Sequence, residues 1–265
     1  MKTSLLCIGV IISMFGQLVE QGSIDSYCLR VESQWKANDD QTAKTVLKRL
    51  SKASGRRRRD LAIEFRCLSP SFEFLVNGLK NKSSVVRNEC VSQLSNVQDS
   101  NRVPVLKVAM NNADPIVRSK LLYAIHSSDA GEGLLLARRY VHDPATEVRG
   151  ASAFLLGKFG DDKDWPIVFK MCSDRKSSIR SLALLAVKMP SNEQRLRAFT
   201  EMIINATKDT SESVRLITCD RLAAEFDEIG ESNLKYMAIT DRSLKVRQRA
   251  VNDLGDWYLI KMKGR

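Results

Sequence analysis

Histidine and cysteine are the residues whose chemistry is quickest to test against spacing. The chain carries two histidines, His126 and His142. A metal-binding or catalytic imidazole needs a partner at a fixed helical step, as in HExxH. Neither histidine has one, and no His-Glu dipeptide occurs. The six cysteines, at positions 7, 28, 67, 90, 172 and 219, fall at irregular intervals with no CxxC pair, which argues against a zinc site. There is no phosphate loop, dinucleotide fingerprint or G-x-S-x-G elbow. The expectation is no catalytic residue, no cofactor and no metal, so the chain reads as a non-enzyme.

Charge is the next chemistry available. Net charge is +11 and the pI about 9.5. A balance of that kind draws nucleic acid, anionic membrane or an acidic protein, and composition does not choose among them. Arg56, Arg57, Arg58 and Arg59 form the densest run and are the candidate anion-binding residues, with a solvated turn as the plainer reading. Aromatics are only 6% of residues and do not interleave with the basic clusters, so base stacking has little support.

The chain opens with Lys2 and an apolar run from Leu5 to Phe15. That layout matches a secretory signal over residues 1–23, and the run is short for a membrane span. A buried N-terminal helix is the alternative, with a cytoplasmic protein as its consequence. Export to the periplasm or beyond is the favoured localisation. Loss of residues 1–23 leaves five cysteines, an odd number, so at least one thiol stays unpaired within a monomer. Taken alone, this cysteine usage fits a reducing compartment better than an oxidising one. The two Asn-x-Ser/Thr sequons, at Asn81 and Asn205, read as chance.

What would position any functional side chain is a repeat. Val/Ile-Arg pairs end at Arg87, Arg118, Arg149, Arg180, Arg215 and Arg247, spaced 31, 31, 31, 35 and 32 residues apart, with Arg58 in weaker register. Six residues before each Arg stands Asn81, Asn112, Asp143, Asp174, Asp209 or Asp241. Positions −1, +3, +4 and +7 from each Arg are small or apolar, which is one face of an α-helix. Other amphipathic segments lie between, such as "SFEFLVNGL" and "LRAFTEMII". Each period is therefore a helix, a short turn and a second helix, and such a hairpin hides its apolar face only by stacking.

"DPATEVRGASAFLLGKFG" and "DPIVRSKLLYAI" resemble HEAT repeats, in particular the short bacterial kind related to phycobilisome-lyase HEAT-like repeats. The resemblance spans roughly residues 57–255. It implies an all-α fold, a right-handed α-solenoid of about six to seven helical hairpins. Residues 24–56 would form N-terminal capping helices and residues 256–265 a basic tail. It also implies a structural ladder between turns, built from Asp143, Asp174, Asp209 and Asp241 with Arg118, Arg149, Arg180, Arg215 and Arg247. Asn81 and Asn112 depart from the aspartate, which weakens the ladder at the N-terminal end.

The second helices after Arg149 and Arg180 are apolar around most of their circumference. Five residues beyond successive arginines stand Tyr123, Phe154 and Leu185, expected to make an apolar ladder on the concave face. Gln93 on one side, with Asp220 and Asn252 on the other, would give that groove a polar rim. Either tight curvature or the N-terminal helix covers the ladder, or a protein partner does. The favoured function is a non-catalytic protein-interaction scaffold using this concave face. The alternatives are a nucleic-acid protein like the HEAT-like alkylation-repair DNA glycosylases, or a chaperone like the bilin lyases, the latter suggested by repeat type alone. The glycosylase reading suffers from Trp35, Trp165 and Trp257 being far apart in register.

Overall fold

A computed structural model describes residues 40–94, 102–111, 114–225 and 228–263. The expected signal segment 1–23 and turn residue Asn112 lie outside them. Among the described residues every regular element is a helix. In chain order these are α1 (Asp40–Leu50), α2 (Gly55–Arg66), α3 (Phe72–Gly78), α4 (Ser84–Leu94), α5 (Arg102–Ala109), α6 (Pro115–Ser128) and α7 (Ala130–Tyr140). Then follow α8 (Thr146–Phe159), α9 (Trp165–Met171), α10 (Ser177–Ala186), α11 (Glu193–Ala206), α12 (Glu212–Glu225), α13 (Glu228–Thr240) and α14 (Leu244–Lys263). None is long and apolar enough to cross a membrane. Residues 256–263, expected as a tail, continue α14.

The chain divides into two compact units, Met1–Val105 and Leu106–Arg265. In the first, α1 packs on α2, α3 packs on α4, and α4 also meets α1 and α2. Asp40 ties the two hairpins together by accepting from the backbone N–H and the hydroxyl of Ser71 at 2.8 and 2.7 Å. Ser71 in turn caps α3 by accepting from the Phe74 N–H.

In the second unit the second helices of the hairpins pile up in sequence order, α6 on α8, α8 on α10, α10 on α12 and α12 on α14, with α8, α10, α12 and α14 also holding their own first helices α7, α9, α11 and α13. The cause is the apolar register. The +4 side chains Leu122, Ala153, Leu184 and Cys219 are all buried, as are Val117, Val148, Ile179 and Val214 one residue before the arginines. Each fully buried aliphatic side chain is worth about 1.5–3 kcal/mol of burial, before the cost of ordering it. Pro115 and Pro166 fall in the first turns of α6 and α9, where a missing N–H costs nothing.

Two glycines set how closely helices approach. A Cβ on Gly157 of α8 would stand 2.8 Å from the Ala186 Cβ and 2.9 Å from its carbonyl carbon. One on Gly150 would meet Leu182 of α10 at 2.7 Å. The segment Asp143–Gly160 is thus a packing unit, with α8 buried on nearly every side.

Candidate protein-interaction face

Each turn aspartate does two jobs. Its Oδ1 accepts from the N–H two residues on, as Asp143 does from Ala145, Asp174 from Lys176, Asp209 from Ser211 and Asp241 from Ser243. The same carboxylate takes the arginine of the preceding hairpin, pairing Arg118 with Asp143, Arg180 with Asp209 and Arg215 with Asp241 at 3.1, 2.6 and 2.7 Å. Arg149 and Asp174 stand farther apart, at 3.9 Å. Meanwhile Arg149, Arg180, Arg215 and Arg247 each donate to the carbonyl six residues back in their own turn. Burial works against ionising Asp209 and Asp241, but the arginine hydrogen bonds and charges hold both carboxyls below the usual range.

The +5 positions lie on the opposite side of each second helix from +3. The +3 residue faces the first helix, as the tight approach of Gly78 in α3 to Cys90 in α4 shows. Two residues further on is a turn of about 200°, which aims +5 away from the first helices. Tyr123, Phe154 and Leu185 therefore stand on the open face of the second-helix layer. Tyr123 and Phe154 meet edge to face with ring centroids 6.0 Å apart, and the Lys158 ammonium lies 5.6 Å from the Phe154 centroid. All three are half-buried, Tyr123 against the Phe154 ring, and Phe154 and Leu185 on helices α8 and α10 that Gly150 and Gly157 let approach closely. Ile116, seven residues before Tyr123 on α6, is 49% exposed and extends the stripe toward solvent.

Beyond Leu185 the same face becomes charged. Arg249 of α14 lies between Asp220 of α12, at 2.5 Å, and Asp253, at 3.1 Å. Burial pushes both carboxyls up, Asp253 to about 6, against the opposing pull of Arg249. Nearby Arg221 pairs with Glu225 at 3.0 Å and reaches the Val187 carbonyl next to α10. Burial raises Glu225 as well. Asn252 is exposed beside this cluster.

Gln93 does not belong to that face. It is buried in the first unit, where its amide donates to the carbonyls of Phe65 at 3.1 Å and Leu68 at 3.4 Å. It closes the end of α2 rather than meeting a partner. Its neighbour Glu89 is likewise buried, in a two-point pair with Arg66. Arg56, Arg57, Arg58 and Arg59 are all exposed in the first turn of α2, behind Gly55 at φ +54°, and Arg58 donates to the Ala53 carbonyl. That turn holds no acidic residue to balance them.

Other chemistry-bearing groups are absorbed by packing. His126 sits in the last turn of α6 with its ring 4.5 Å from the Phe159 ring at a tilt of 38°, while His142 is exposed in a turn. No group of three or more His, Cys, Asp or Glu side chains is arranged to hold a metal among the described residues. A pair outside the periodic register, Arg138 with Asp164 at 2.7 Å, fixes α7 to the start of α9. Cys90, Cys172 and Cys219 are buried free thiols, each pushed up by burial to about 12. Cys67 is disulfide-bonded, with its partner outside the described residues.

No family model matches the chain, and no curated protein matches it. Among solved structures, YibA of E. coli is similar over 92% of this chain and 89% of its own, at 17% identity and a TM-score of 0.58. Human deoxyhypusine hydroxylase in complex with glycerol covers 83% of this chain and 96% of its own, at 16% identity and a TM-score of 0.36. A designed armadillo repeat protein covers 85% and 98%, at 16% identity and a TM-score of 0.34. The register, the stacked second helices and the likeness to YibA together make this chain an all-α solenoid of HEAT-like hairpins.

Proposed function

We propose that this chain is a non-catalytic interaction scaffold, exported to the periplasm or beyond, that holds a protein partner on the open face of its second-helix layer. The observation that carries this reading is the stripe along α6 to α14. It passes from half-buried apolar side chains at Tyr123, Phe154 and Leu185 to the charged group Asp220, Arg249 and Asp253, with Asn252 exposed beside it. A partner that suits it carries an apolar side chain followed by a basic one. Two carboxylates at one end of the stripe repel a phosphate backbone, which favours a protein over nucleic acid.

Export is supported by Lys2 with the apolar run that follows and by the disulfide at Cys67. The three buried thiols do not oppose it, since a thiol held near 12 is inert. The exposed arginines Arg56–Arg59 fit contact with an anionic surface.

The test is capture of partners on the wild-type chain and on a Leu185→Asp, Asn252→Arg variant of unchanged helicity. Selective loss of a partner from the variant supports the reading. Equal recovery from both counts against it.

A further inference from the structure

We propose that the first unit seats this chain on an anionic phospholipid surface, through the edge that carries its two hairpin turns. The proposal rests on the anionic-surface contact of the reading above and names its ligand. Residues 40–94 hold twelve lysines and arginines against five acids, a surplus of seven out of the chain's +11. Residues 114–225, about twice as long, hold 17 against 15. The excess charge is therefore local.

It is also gathered on one edge. Asp40 at the start of α1 bonds Ser71 at the start of α3, so the two hairpins lie side by side and their turns, residues 51–54 and 79–83, face the same way. Lys52 and Arg56–Arg59 are exposed at the first turn. Lys80 and Lys82 are exposed at the second. Lys44 and Lys48, four residues apart and exposed, lead along α1 to Lys52. Three of the five acids are engaged within the unit, Asp40 by Ser71, Glu64 by Arg49 and Glu89 by Arg66.

Asn81 separates charge kept for the fold from charge left for a ligand. In the second unit Asp143, Asp209 and Asp241 accept from the N–H two residues on and also neutralise the arginine of the preceding hairpin. Asn81 keeps the first role, accepting from the Ser83 N–H at 2.9 Å. As a neutral amide it gives up the second, so the register position opposite Arg58 holds no carboxylate. The turn is preserved and only its neutralising charge is gone. A bilayer suits this edge better than nucleic acid. Among the described residues 40–94 no large hydrophobic side chain is exposed, so bases would find no ring to stack on. Cations spread along a helix and two turns match a plane of phosphates, each of which an arginine grips with two N–H groups.

The test is cosedimentation of the full chain with vesicles of phosphatidylcholine containing about one-third phosphatidylglycerol, with circular dichroism to verify that the helices of each variant remain. The wild type should bind them less tightly as salt rises, and should not bind phosphatidylcholine alone. Each cation removed from the edge should cost about fivefold in affinity, so Arg56→Gln, Arg57→Gln and Arg59→Gln together should cost about 100-fold. Lys163→Gln with Lys208→Gln, equally exposed in the second unit, should leave affinity within about twofold. Asn81→Asp restores the missing carboxylate, and should raise the melting temperature while weakening vesicle binding about fivefold. Leu185→Asp, on the open face, should bind vesicles as the wild type does, so vesicle binding and partner capture fail separately. A wild type that ignores anionic vesicles at low salt overturns the proposal and leaves the scaffold reading standing. So does an equal loss from the second-unit pair, an Asn81→Asp chain that binds undiminished, or a single-stranded oligonucleotide that binds more tightly than the vesicles at the same salt.

Discussion

Arg215 and Asp241 meet across consecutive hairpins with Nε 2.7 Å from Oδ2 and Nη2 3.1 Å from Oδ1, and their side chains are 4% and 5% exposed. A pair this dry is costly to break, because the survivor is left charged without water or partner. Arg215→Ala should therefore destabilise the chain by about 3 kcal/mol. Arg149→Ala, at the longer and wetter pair with Asp174, should cost only about 1 kcal/mol. Urea denaturation of the two variants checks the order, and equal losses would mean that the arginines act through packing alone.

The carboxylates of this unit respond to pH in opposite directions. Asp209 and Asp241 titrate lower in the folded chain than in the unfolded one, so their contribution is present at neutral pH and lost as pH falls through the acid range. Asp253, raised to about 6, does the reverse: its contribution is full below about pH 4 and is lost as pH rises through 6. Asp253→Asn should gain stability relative to wild type between pH 4 and 7. The gain should reach roughly 1–2 kcal/mol, from about 1.4 kcal/mol per tenfold change in proton affinity, reduced by the water that still screens this cluster. Thermal melts across that range measure it, and a pH-independent difference would contradict it.

Most of the fold was legible because packing repeats. The Val/Ile-Arg period locates the turns, and the −1, +3, +4, +7 face locates the buried side chains. The site was less legible. Gln93 occupies a position that helical angle assigns to the rim, but no angle shows that the end of α2, at Phe65 and Leu68, lies over it. Helical angle also turns Phe154 and Leu185 away from the first helices, but it does not show how closely α8 and α10 approach at Gly150 and Gly157. Two glycines seven residues apart on one helix are the signal for that approach. The Arg138–Asp164 pair escapes a repeat-based reading because it falls outside the period.

The close approach of α8 and α10 carries its own prediction. Gly157→Ala forces a methyl against the backbone of Ala186 and should cost about 1–3 kcal/mol by overpacking. Gly255→Ala, with nothing within 4 Å, should instead stabilise α14 by roughly 0.5–1 kcal/mol. Calorimetry of the two variants should show shifts of opposite sign.

Cysteine counting tests the compartment. Cys90, Cys172 and Cys219 are free and Cys67 is disulfide-bonded, and removal of residues 1–23 would leave Cys28 as the one further cysteine. The mature exported chain should show three thiols after denaturation and one disulfide joining the peptides of Cys28 and Cys67. Five thiols, or a mature N-terminus at Met1, would contradict export.

Arginines crowd the wrong end of α2, where the helix dipole favours anions. Replacing Arg56 and Arg57 with Glu should raise stability by a few tenths to about 1 kcal/mol each at low salt, and weaken binding to anionic vesicles. Stability that falls would show that the run serves the fold.

The scaffold reading stands most directly on where a partner touches the chain. A photoreactive side chain placed at Leu185 or Asn252 on the open face, and at His142 or Lys208 in the turns, reports this in living cells. Adducts of one size from Leu185 and Asn252, and none from His142 or Lys208, are the predicted result. Adducts from the turn positions alone would contradict it.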